Sequence, residues 1–594
     1  MGVLIFAHVP FYICRFVANF VLVALLEAEE LGSIRLDESI VASAVSAIAS
    51  HRNHDNVAAT GDSMLPIFNF WPEKAVNGSY VSTPSNLVDP LDHIHPSDSF
   101  EVVIASYMKS LGLSSYIPLV QGLTDWPVGL IKFFRVPPDS DDTAVNLALV
   151  AAMNDGLGDI ARFHDAAKPL AASEASIGAG MGYYTRYAYR PFSDDDAHNM
   201  LDPRAYYWMR FFLRDIEAEY TAKGAMQELK EYALFSTWFQ DLPELRALFT
   251  SGKSAFNRMP LGVNNVDPVV NANVVFGLTR YVLASIARGD GVPMWFDASL
   301  QTMYGNAVRL LEYVLLNPNT TLFGRTDLVL VYYPPLYDFY NFVGRAYARL
   351  VAAPSLPADV PVFAHAREVL GNALRGEGTA QLLRKAKTDV HGTYWEDFLG
   401  MKELIPQHED RIFTTASVLN ALFDTWAEPA IKCAGVNSPP SNGKLLRPDT
   451  PETVRTALSS GVSRLDTVLR DTSVQEHELD NCFFSGSVKG WPDSLPFYYP
   501  TNMLENLQTA EPVSCSLSGP TPDIVAAVRG LIPEDEYQQK LRNVCFGQPV
   551  PQKWSGFNGI ASVFPFWSSP SLSRATALLS LAKWENVQRC DREA

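Results

Sequence analysis

Pro137-Pro138-Asp139-Ser140-Asp141-Asp142-Thr143-Ala144 opens the stretch on which the reading of this chain turns. Behind it runs Val145-Asn146-Leu147-Ala148-Leu149-Val150-Ala151-Ala152-Met153, apolar nearly all round and ending at Asn154-Asp155-Gly156. A helix that is apolar on every side is a buried helix, and the two prolines hold its approach extended. Asp139 or Asp141 is then a natural N-cap, with the following acids in the first turn beside the positive end of the helix dipole. One acid there is ordinary capping. Three within four positions put several negative charges where burial and mutual repulsion raise the pKa of at least one.

Residues 139–144 match the DxDDTA signature, and in this the chain resembles class II terpene cyclases of the squalene–hopene cyclase and copalyl-diphosphate synthase type, members of the α/α-toroid superfamily. A chance match in a chain of this length is on the order of one in a thousand. The resemblance implies that Asp141 is the general acid that protonates an alkene or epoxide, that Asp139 and Asp142 orient and support it, that the substrate is an isoprenoid, and that no redox cofactor is required. The signature lies in the first quarter of the chain. Neither QxxxGxW repeats nor a class I DDxxD or NSE/DTE metal motif accompanies it.

Working outward, apolar helices are expected to start near Asp139, Asp267, Pro334, Phe413, Tyr498 and Trp567, with more amphipathic helices at 205–223, 300–316, 362–387, 451–469 and 535–543. Few segments read as strands. Alternation of wholly apolar and one-faced helices suits two concentric layers. The expected fold is all-α, an α/α toroid of about six inner and six outer helices over 121–594. Ahead of it come an apolar segment at 1–30 and a helical and irregular region at 31–120, with a helix at 37–50 and a long loop at 51–96.

If the inner helices run parallel, their N-termini meet at one mouth. Asp267, Asn271, Tyr332, Tyr333, Tyr498, Tyr499 and Trp567 are then candidate substrate-binding residues around the catalytic candidates Asp139, Asp141 and Asp142. Aromatic rings there would stabilise carbocations in a dry cavity. In a glycoside hydrolase or polysaccharide lyase they would stack on sugars, and a second carboxylate, Asp267 or Asp338, would stand roughly 5–9.5 Å away. A toroid that binds a ligand without catalysis is the third reading. Adjacent carboxylates also suit Mg²⁺, a secondary reading to the acid. Asp92, His93, His95 and Asp98 form a looser group, and histidines in a loop are more often solvated than metal-bound.

The 594 residues are 47% hydrophobic and 19% charged, with a net charge of −18. This is a globular composition, and without a Lys/Arg run it does not suit nucleic acid. Residues 16–26 are apolar except for Asn19, follow Arg15 and precede Glu27, Glu29 and Glu30. They admit a signal peptide, a membrane-associated anchor or a buried first helix. Cys433, Cys482, Cys515, Cys545 and Cys590 crowd the last third and match no zinc spacing. Disulfides there, with sequons at Asn77 and Asn319, fit a secretory, extracellular or membrane-associated location.

Overall fold

The computed structural model describes residues 15–76, 79–82, 137–154, 163–244, 264–397 apart from 325, 331 and 334, 401–402, 405–406, 410–430, 443–485 apart from 472, 473, 475, 480 and 482, 501–506, 512–513, 526–538, 566–567 and 569–593. It is mostly helical. The principal helices are α1 (Arg15–Glu30), α2 (Glu38–Ala49), α3 (Ser140–Asn154), α4 (Glu174–Arg186), α5 (Pro203–Lys223), α6 (Pro268–Ala287), α7 (Ala298–Leu316), α8 (Leu336–Ala352), α9 (Pro361–Ala373), α10 (Ile412–Trp426), α11 (Glu452–Arg470) and α12 (Pro570–Glu593).

Local chemistry sets the starts. Asp37 accepts from the Ser39 N–H at 2.8 Å, Asp202 from Arg204 at 2.8 Å, Asp267 from Val269 at 2.7 Å and Asp297 from Leu300 at 3.0 Å, each meeting an amide that the first turn leaves without a helical partner. The first N–H of α8 is met from a distance, by Asp397 at 2.9 Å. α5 ends at Gly224, whose φ of 67° is the left-handed cap that glycine adopts without strain.

Burial separates two kinds of helix. All residues of α3 from Ser140 to Met153 and all of α10 are buried, and α6 and α8 come close to that. In α11 only Val454, Ala457, Leu458, Gly461, Val462, Arg464 and Leu465 are buried, a single stripe at helical spacing. α3 packs on α6, α6 on α8, α8 on α10 and α10 on α12, while α1 packs on both α12 and α3. α7 lies on α6, α9 on α8 and on α7, and α11 on α10 and α12.

α3 and α6 approach so closely that a Cβ placed on Gly277 would stand 2.2 Å from the carbonyl oxygen of Ala144. Gly277→Ala is therefore expected to lower stability by at least about 2–3 kcal/mol through overpacking, read by urea unfolding. Helix propensity alone would favour alanine by about 1 kcal/mol. A variant more stable than the wild type would show that the two helices separate freely.

Four expectations change. The helix expected near Tyr498 is absent from the described part of that segment: Thr501–Asn506 is β2 of a four-stranded antiparallel sheet ordered β3 (Pro512–Val513), β2, β4 (Ala526–Arg529), β1 (Met200–Leu201). Pro500 and the poor helix formers Thr501, Asn502 and Asn506 disfavour a helix there. The long helix expected at 362–387 ends as α9 at Ala373, passes through a wide turn at Leu374–Gly378 with Gly376 at φ −82°, ψ −106°, and resumes at Thr379–Arg384. Glycines at 371, 376 and 378 make that break inexpensive. The expected loop at 51–96 contains a helix at His54–Thr60 and a hairpin pairing Glu73–Val76 with Ser79–Ser82. Of the helix expected at 535–543, the described α-helical residues are Glu534–Glu536. The His93 group lies outside the described residues.

The apolar segment behind Arg15 is a helix in the core. Val17, Phe20, Leu22, Val23 and Leu26 of α1 are buried, and its packing on α3 and α12 joins the start of the chain to its last helix. α6 is long and apolar enough to cross a membrane, yet 89% of that window is buried inside the fold.

Candidate active site

The approach to α3 is clamped on both sides. Asp139 donates its N–H to the Phe68 carbonyl at 3.1 Å, and Ser140 donates its own to Thr237 at 3.1 Å. Phe239 reaches back to the Pro138 carbonyl at 2.8 Å. Thr237 in turn donates to the Asn265 carbonyl at 2.7 Å. The 236–239 segment therefore ties the start of α3 to the start of α6.

Within this frame the three acids are almost wholly buried, at 3%, 1% and 0% exposure for Asp139, Asp141 and Asp142, and they do different things. Asp139 Oδ1 accepts the N–H groups of Asp141 at 3.0 Å and Asp142 at 3.3 Å, the work of an N-cap. Asp267 does the same for Val269 and Val270, and Asp410 for Phe413 and Thr414, at the heads of α6 and α10. Capping is thus the general role of aspartate at this end of the molecule. Asp141 does more: its Oδ1 accepts the Asp142 N–H at 3.1 Å, and its Oδ2 accepts the Tyr333 hydroxyl and the Asn273 amide, the latter at 3.3 Å. Tyr184 donates its hydroxyl to the Ser140 carbonyl at 2.6 Å and closes the turn.

Tyr332 and Tyr333 are neighbours with separate duties. The Tyr332 hydroxyl accepts from Trp238 Nε1 at 3.1 Å, with the two rings edge-on at 5.4 Å, which anchors the lead into α8. Tyr333 turns to Asp141, and its ring meets Phe342 at 6.0 Å and Phe483 at 5.8 Å. Those two phenylalanines, with Phe20 and Phe413, line a cavity of about 20 Å³. Asp338 Oδ2, Asn341 Oδ1, Asn420 Oδ1 and Arg345 Nε belong to the same lining, and none has a hydrogen-bond partner. Four such groups around one space are unusual in a folded interior and suit a polar ligand group or ordered water.

Burial, then the Asp141 charge and its hydrogen bond, then the Asp142 charge, push the Asp139 carboxyl well above its usual range, against the Asp142 N–H, which lowers it. Tyr333 and Tyr184 are raised well above the phenol range by burial and by the neighbouring aspartates. Burial also raises Asp338, on whose Oδ1 Ser417 donates at 3.1 Å.

Asp267 is pushed up to about 7 by burial, opposed by the Val270 and Val269 N–H groups and assisted by the Asp141 charge. A carboxyl raised in the folded state binds its proton more tightly there than in the unfolded chain. Its contribution to stability is thus full below about pH 4 and lost as pH climbs to about 7. Asp267→Asn keeps a capping oxygen and removes the titration, so the decline of stability between pH 4 and 7 should flatten by roughly 3–4 kcal/mol, measured by denaturant unfolding across that range. Parallel wild-type and variant curves would show that Asp267 ionises freely.

Comparison with protein families, curated proteins and solved structures finds no match for this chain. Its own geometry therefore carries the functional reading. Of the residues singled out in the sequence, Asp139, Asp141, Asp142, Asp267 and Tyr333 come together. Asn271 holds backbone, donating to the carbonyls of Phe235 and Asp267 at 3.1 and 3.0 Å. Trp567 lies in a two-residue strand paired with Phe484–Ser485 ahead of α12. Tyr498 and Tyr499 lie outside the described residues. Asn273, Tyr184, Asn341 and Asn420 were not foreseen. Asparagines inside apolar helices are the signal that points to them, because a buried amide needs a partner.

Proposed function

We propose that the chain is an α/α toroid acting as a class II terpene-cyclase-like enzyme, with Asp141 the acid that starts cyclisation of an isoprenoid. The order of packing supports the toroid: α1, α3, α6, α8, α10 and α12 each touch the next, and the last touches the first, with α2, α7, α9 and α11 outside. The observation that carries the enzymatic reading is the Asp141 carboxyl itself. It is buried beside the Asp139 carboxyl, whose pKa burial and the neighbouring charges raise, and Tyr333 connects it to the phenylalanine-lined space.

In this mechanism the proton leaves the acid cluster for one carbon of the terminal alkene, leaving a tertiary cation on the other. Successive alkenes close onto it. Loss of a proton from the final cation returns the balance to zero, so the reaction is an isomerisation without a redox cofactor. Negative ring faces of Phe20, Phe342, Phe413 and Phe483 suit the moving positive charge. A cavity of about 20 Å³ holds no polyprenyl chain, so binding must turn these rings aside.

A Mg²⁺ site ranks second, because Asp139 Oδ1 already caps α3 and Asp141 Oδ2 already accepts from Tyr333 and Asn273. The glycan reading needs a free second carboxylate, and the capping bonds of Asp267 leave that role to Asp338. Cys590 is disulfide-bonded, which favours folding in an oxidising compartment and hence the secretory route.

The test is incubation of the full chain with geranylgeranyl diphosphate, farnesyl diphosphate and squalene, with analysis for cyclic products. Absence of product from all three, in folded protein, would overturn the reading.

A further inference from the structure

Opposite the acid cluster, towards the C-terminal ends of α1, α8 and α10, an open pocket of about 80 Å³ is lined by Glu27, Glu30, Arg345, Arg349, Asp424, Lys444 and Lys583. We propose that this pocket binds a phosphate-type oxyanion, with Lys444 as its principal donor. The proposal stands whether or not the acid cluster is a cyclase site.

The charges there do not balance. Arg280 bonds Glu27 at 3.0 Å and also bonds Glu30; Arg349 reaches Glu27 at 3.0 Å and Glu30 at 3.1 Å; and Lys583 holds Asp424 at 2.6 Å. Arg345 touches Glu27 only at 3.4 Å and lays its guanidinium over the Phe276 ring at 4.5 Å. Among the residues that line the pocket, four cations, Arg345, Arg349, Lys444 and Lys583, face three carboxylates, Glu27, Glu30 and Asp424. Partial negative charge at the helix C-termini offsets part of the surplus.

What remains falls on Lys444. Its strand, Lys444–Leu446, pairs with Ala427–Pro429, and its N–H is fixed on Asn586 Oδ1 at 2.8 Å, which delivers the side chain to the pocket. Among the described residues no carboxylate stands within ion-pair distance of its ammonium. Burial, with Arg349 and Lys583 adding to it against Asp424 and Glu30, brings the Lys444 ammonium down to about 8. A local cationic surplus in a chain of net charge −18 runs against the average. A multivalent oxyanion answers it, because guanidinium and ammonium donors together match several oxygens around one centre. The pocket is several times the space one water needs.

Titration of the full chain with inorganic pyrophosphate at constant ionic strength, with orthophosphate and sulfate in parallel, tests this. Saturable pyrophosphate binding is expected, weakened about tenfold or more in Lys444→Met and recovered in Lys444→Arg. No saturable binding of any of the three anions, or equal binding by Lys444→Met, overturns the site. In wild-type protein pyrophosphate should also protect Lys444 from acetylation, read by peptide mass spectrometry. Undiminished labelling at saturating pyrophosphate overturns it too, without reliance on a variant.

Discussion

Asp141→Asn protein is expected to lose about 10²–10⁴-fold of any isoprenoid-cyclising activity while melting close to the wild type. The amide keeps the shape of the side chain and an oxygen for the Tyr333 hydroxyl and Asn273, but it cannot deliver a proton of that acidity. Asp139→Ala should behave differently, because Asp139 meets two first-turn amides: its loss should cost about 0.5–2 kcal/mol of stability. The pair separates acid from cap within one motif. Turnover retained in Asp141→Asn would remove the catalytic assignment. A stability loss in Asp141→Asn equal to that of Asp139→Ala would make the whole motif a capping device.

That separation shows how far the sequence could be read. Aspartate ahead of an apolar run is a cap signal, and Asp139 and Asp267 both proved to be caps. Only the resemblance of the motif ranked Asp141 above Asp139, because the physical difference lies in who arrives from elsewhere: Tyr333 from the lead into α8 and Asn273 from α6. The nearly all-round apolar pattern of 145–153 was sufficient to place α3 in the core. The pattern at 16–26 was not, because a signal peptide, an anchor and a buried helix share it, and the packing of α1 on α3 and α12 is a contact no local pattern records. The strand at Thr501–Asn506 was hidden for another reason. Its sheet continues through Ala526–Arg529 to Met200–Leu201, a pairing no local periodicity records. The cation pocket was equally illegible, since its walls run from Glu27 to Lys583 and its surplus appears only once the ion pairs are counted.

Glu27→Gln is expected to produce the largest loss of stability, about 3–5 kcal/mol. The Glu27 carboxylate accepts from Arg280 at 3.0 Å, Arg349 at 3.0 Å and Arg345 at 3.4 Å, joining α1 to α6 and α8. A neutral amide of the same shape removes one of the two carboxylates, Glu27 and Glu30, that oppose Arg280 and Arg349, and the one that Arg345 touches. Burial alone would raise the Glu27 pKa, yet Arg345, Arg349, Arg280 and Lys583 overcome it and hold the carboxyl far below its ordinary 4.5. A depressed carboxyl stabilises the fold above its unfolded pKa and loses that contribution as pH falls below it. The gap between wild type and Glu27→Gln should therefore be full at neutral pH and shrink progressively below about pH 4.5, opposite in direction to the effect of Asp267. Denaturant unfolding of both proteins between pH 3 and 7 measures it. A gap of less than about 1 kcal/mol at pH 7, in the range of an exposed ion pair, would show that α1 is not held in the core by this cluster.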